Sequence, residues 1–135
     1  MKKVKKILVG NTFPLSLVRG SGVVRMSCRR VEELREQVQS HAVVSYWGHE
    51  NTRAVAEGLL GVSLKPATPR PSLSLSAEGR PMLDGETFSV CWVLSPDYRG
   101  GMRPQIGEEV GPERIAGWQV VKIVFPNWVL RREEK

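Results

Sequence analysis

Apolar residues in this chain fall into short blocks set apart by glycine, proline and charge, and the spacing inside each block predicts its element. Lys5 to Val9 reads as a short buried strand stopped by Gly10-Asn11 and the Phe13-Pro14 corner. Val23 to Cys28 alternates approximately and forms a second strand candidate. Val31, Leu34 and Val38 recur at helical spacing, so a helix is expected over 31–38 with Glu32, Arg35 and Glu36 on its wet side. Ala42 to Trp47 is a nearly continuous apolar run, as in a central strand. A second helix is expected from about Asn51 to Leu60, with Asn51 or Thr52 as N-cap and Gly61 as the stop.

The second half is more broken. Pro66-Ala67-Thr68-Pro69-Arg70-Pro71 reads as a stiff connector. Ser72 to Ser76 alternates with period two, and Glu86 to Leu94 is another strand. The stretch 79–85 between them is expected to be an extended loop or hairpin tip. A Gly- and Arg-bearing loop follows over 99–107, then a helical turn over 112–116 and a last strand from Trp118 to Phe125. The pattern predicts an α+β fold: a single domain over 1–135, with its core at about 5–125. A mixed sheet of about five strands is flanked by helices.

Composition narrows the partners. The formal net charge is +6 and the pI is near 9.7, which favours an anionic ligand without identifying it. The lysines at 2–6 have no apolar h-region behind them, and no run reaches the ~18 apolar residues of a membrane span. A cytoplasmic location is therefore expected. Cys28 and Cys91 lack ligand spacing, so both are expected to pack as small apolar residues without a disulfide. No phosphate-binding G-x-x-x-x-G-K-[ST], no G-x-S-x-G elbow and no metal-ligand cluster occurs, so no metal site and no cofactor are expected.

The candidate chemistry sits where the central strand turns into the second helix, at Ser45-Tyr46-Trp47-Gly48-His49-Glu50-Asn51. His49 is one of two histidines, and a helix start presents free N–H groups and positive dipole to a phosphate. An imidazole there can donate or accept a proton near neutral pH. Taken alone, such a histidine is more often a surface or capping group. Trp47 beside it is either a base-stacking platform or core, and Arg70, Arg99 and Arg103 are either ligand contacts or solvated loop residues.

Three segments in order carry a resemblance. The first strand runs into Gly10-Asn11-Thr12-Phe13-Pro14; the middle has Trp47-Gly48-His49 and a helix closing in Leu59-Leu60-Gly61; late in the chain lies Arg103-Pro104-Gln105-Ile106-Gly107. Together they resemble the viral ring-nuclease family, the type III anti-CRISPR enzymes, and their relatives inside host CRISPR loci. The resemblance implies a homodimer that holds cyclic tetra-adenylate between its subunits and opens the ring without a metal. A ribose 2′-hydroxyl attacks the neighbouring phosphorus while the histidine protonates the departing 5′-oxygen, which would act in the cytoplasm, the host's where the gene is viral.

Carried over residue by residue, His49 and Arg103 are the expected catalytic residues, and Asn11, Thr12, Phe13, Gly48, Arg70 and Gln105 are expected to bind the ligand. No membrane partner and no stable DNA binding are expected. Two positions depart from the family pattern: Ile106 stands where the loop glutamate is usual, and Pro14 where the first turn has serine. Two other readings stay open, a sponge that holds the ring uncut and a general basic nucleic-acid-binding protein.

Overall fold

The computed structural model describes residues 5–14, 17–18, 23–48, 50–67, 73–98, 100 and 112–125. Its elements are β1 (Lys6–Gly10), β2 (Arg25–Arg29), α1 (Val31–Ser40), β3 (Ala42–Ser45), α2 (Glu50–Leu60), β4 (Leu73–Leu75), β5 (Pro81–Leu83), β6 (Glu86–Thr87), β7 (Val90–Tyr98) and β8 (Ile115–Val124), with a 3-10 turn at Pro112–Arg114. The main sheet has five strands in the order β2-β8-β7-β1-β3, and β4-β5-β6 form a second, smaller sheet. β1 lies parallel to both its neighbours, β3 and β7, whereas β8 runs antiparallel to β7 and β2. The result is a single α+β domain around a mixed five-stranded sheet.

Alternation along the strands sorts the core into two layers. Ile7 and Val9 of β1, Trp92 and Leu94 of β7 and Val120 of β8 pack against Leu34, Val38, Ala56, Leu60 and Leu64 from the helical side. Leu8, Cys91, Val93 and Ile123 face the other way, onto Leu83, Phe88 and Phe125. β1 is thus buried on both faces, which explains its uninterrupted apolar run. β2, at the sheet's edge, has no buried residue.

The helices are tied to each other end to side. Gly61 takes a positive φ of 74° and its N–H bonds the Glu57 carbonyl at 2.8 Å, the single-bond form of a helix C-cap. The carbonyls left over at Leu59 and Leu60 accept from Arg35 Nε (3.0 Å) and Gln39 Nε2 (3.2 Å) of α1.

Several expectations need correction. Glu86 to Leu94 is not one strand: β6 stays with the small sheet, and the chain breaks at Phe88, whose N–H bonds Pro81 O at 2.8 Å, before β7 joins the main sheet. β7 then continues through Pro96 to Tyr98. The stretch 79–85 agrees with expectation as a hairpin tip, closed by Asp84 and Gly85 with φ of 49° and 84°, as a two-residue primed turn requires. α2 begins at Glu50, so Asn51 and Thr52 lie inside the helix rather than capping it. The last strand starts three residues early, at Ile115. Cys28 is exposed instead of packed, because the edge strand β2 has no covering layer. Both cysteines are free.

Candidate functional site

β1 and β3 run parallel, so their carboxyl ends deliver the Gly10-Asn11 turn and the Tyr46-Trp47-Gly48 turn to the same edge of the sheet. Two bonds fix them there. Tyr46 N–H bonds Val9 O at 3.2 Å, and Gly48 N–H bonds the Asn11 side-chain oxygen at 3.2 Å. The Asn11 carbonyl in turn accepts from Ser95 Oγ of β7 at 3.1 Å. One asparagine therefore ties the end of β1 to the turn after β3 and to the middle of β7, its two parallel neighbours. In open sheets of this kind, ligands sit outside the carboxyl ends of the strands, where the connections part.

Trp47, ahead of α2, is braced by two hydrogen bonds. Trp47 N–H bonds Ser45 Oγ, and its indole N–H bonds Thr52 Oγ1, both at 3.1 Å. Trp47 is 3% exposed, so it is a core residue that braces the start of α2 and offers no face for stacking. Below it, the Tyr46 ring lies against Gly10, where any Cβ would drive into the ring. The Tyr46 hydroxyl meets Cys91 Sγ at 3.1 Å. Burial pushes the Cys91 thiol up to about 12, with the Tyr46 hydrogen bond opposing the shift. Burial raises the Tyr46 phenol as well, and the neighbouring Cys91 adds to that. Neither group can ionise near neutral pH, so the pair is a neutral floor under the turn.

Of the expected site residues, Asn11 and Gly48 are brought into direct contact, and Thr12 is exposed beside them. Phe13 is half-buried with its ring 5.3 Å from that of Phe125, which commits the side chain to packing. His49, Arg70, Arg103 and Gln105 lie outside the described residues, as do Ile106 and Arg99. Among the described residues, no three of His, Cys, Asp and Glu come together as a metal-holding group.

Two residues near the turn were not anticipated from the sequence. Ser95 had no signal, because its role depends on β7 reaching past Leu94. Arg53, in the first turn of α2, is half-buried with its Nε shielded from solvent and without a hydrogen-bond partner among the described residues. A cationic group in that state, at a helix start, suits an anion. Its position four residues after His49 was the available clue.

No family model and no curated protein matches the chain. Among solved structures it is similar to B116 of Sulfolobus turreted icosahedral virus, at 13% sequence identity and a TM-score of 0.50. The likeness covers 88% of this chain and 98% of that one. At that identity the shared property is the fold.

Proposed function

We propose that this protein is a metal-independent ring nuclease that binds and linearises cyclic tetra-adenylate, as a homodimer in the cytoplasm. The observation that carries the reading is the Asn11–Gly48 hydrogen bond. It joins the two turns that hold the first two family-like motifs, far apart in sequence, at the carboxyl ends of parallel strands. The ordered motifs, the basic charge and Arg53 Nε, which has no hydrogen-bond partner among the described residues, support the same ligand class.

In this reading a ribose 2′-oxygen bonds to the adjacent phosphorus and the bond from phosphorus to the 5′-oxygen breaks. His49 delivers its proton to that leaving oxygen, and the 2′-hydroxyl proton passes to water. Arg103 and Arg70 neutralise charge on the phosphate, and Asn11, Thr12, Gly48 and Gln105 hold the ring, with Phe13 contributing through its backbone because its side chain packs on Phe125. Two-fold symmetry lets the two His49 side chains address opposite phosphates.

His49→Ala tests the assignment. Single-turnover cleavage should fall by at least the ~100-fold expected for loss of a general acid, while ring binding stays within a few-fold. Unchanged cleavage would remove His49 from the mechanism. Ile106, standing where the family has its loop glutamate, favours a second reading in which the ring is sequestered uncut. In that case intact ring is recovered from a tight complex.

A further inference from the structure

At the opposite end of the sheet from the Asn11–Gly48 turn, a pocket of about 340 Å³ opens where β1 and β7 begin and α1 ends. Among the described residues, its charged lining is of one sign: Lys5, Lys6 and Lys122 line it beside His41, Gln37 and Ser89, and no carboxylate residue does. Glu86 neutralises one lysine from outside, through a 3.0 Å pair with Lys6. Among the described residues, neither Lys5 nor Lys122 forms an ion pair.

Lys122 is the telling residue. It stands opposite Trp92 in the β7–β8 pairing, and Trp92 belongs to the helical-side core. Lys122 is half-buried as a residue, and its ammonium is 5.4 Å from the Trp92 ring centroid, a cation–π contact that holds the charge at the pocket wall. With no ion pair among the described residues, that charge is available to an anion in the pocket. The carboxyl end of α1, whose dipole would otherwise repel an anion, is partly satisfied from within. The His41 Nδ1 lies 2.9 Å from both Gln37 O and Ser40 Oγ, so this ring nitrogen is engaged by the end of α1.

We propose that this pocket binds a small phosphate-bearing anion, of nucleoside monophosphate size or less. The volume falls at the low end of the ~300–1,000 Å³ typical of ligand sites. The proposal is independent of the ring-nuclease reading, because the two sites share no residue.

The full chain, labelled with 15N, should be titrated with pyrophosphate and separately with AMP, with affinities measured by calorimetry. Amide shifts are expected around Ile7 and Ser89–Val90 and at the Trp92 indole, while Asn11 and Gly48 stay still. Lys122→Gln and Lys5→Gln should each weaken binding about tenfold, as loss of a charge-assisted contact does. Glu86→Gln should tighten it by releasing Lys6, a gain that no merely structural role would give. Binding of pyrophosphate alone identifies the phosphate as the recognised group; binding of AMP as well admits the nucleoside. Absence of binding by both at millimolar concentration, affinities unmoved by the lysine substitutions, or shifts confined to Asn11 and Gly48 would each overturn the proposal.

Discussion

At the scale of single residues, two glycines at the same edge of the sheet have opposite reasons to be there. A Cβ on Gly10 would enter the Tyr46 ring, which is itself buried, whereas a Cβ on Gly48 meets nothing within 4 Å. Gly10→Ala should therefore cost about 1–3 kcal/mol in urea denaturation, and Gly48→Ala should stay within about 0.5 kcal/mol of wild type. The Tyr46–Cys91 pair makes a second prediction. Cys91 is held protonated in the fold from its ordinary 9.0 up to about 12, while the unfolded chain releases that proton earlier. Between those values the native state binds more protons, so this contribution is complete below about pH 9 and is lost as pH climbs toward 12. Cys91→Ala should flatten the decline of stability in that window; an identical slope would show that the thiol is not so held. At pH 8, an alkylating reagent should label Cys28 and spare Cys91 until urea is added.

At the scale of elements, the α2 C-terminus depends on a left-handed glycine and on borrowed side chains. Gly61→Ala should cost about 1 kcal/mol, and Gln39→Ala a comparable amount by stranding the Leu60 carbonyl, both read from urea midpoints. The two helices were legible because Val31, Leu34 and Val38, and then Leu59-Leu60-Gly61, carry period and stop signal within a few residues. β1 and β3 were legible as short apolar runs. The break at Phe88 was not, because Thr87-Phe88-Ser89-Val90 has uniform strand character and only partner choice divides it between two sheets. The run through Ser95-Pro96 was hidden for the converse reason. Proline reads as a strand end, yet pairing with Gln119 and Trp118 carries β7 past it. That hidden extension is what brings Ser95 to the Asn11 carbonyl.

At the scale of the whole molecule, each end of the sheet gathers one of the two proposed sites. The carboxyl end gathers Asn11 and Gly48, and the amino end gathers three lysines around a pocket. A sequence read in one dimension points to the first, because Gly10-Asn11 and Trp47-Gly48 are local turns that the structure brings together. It missed the second, whose members come from β1, α1 and β8 and mean nothing apart. With a net charge of +6, ring binding should weaken as salt is raised, and sedimentation should report a dimer.

The central claim is tested most directly by incubating the pure protein with labelled cyclic tetra-adenylate in excess EDTA and resolving the products. The account predicts linear di-adenylate with cyclic phosphate ends, formed at the same rate without the chelator. A ring left intact, whether bound or free, would contradict it.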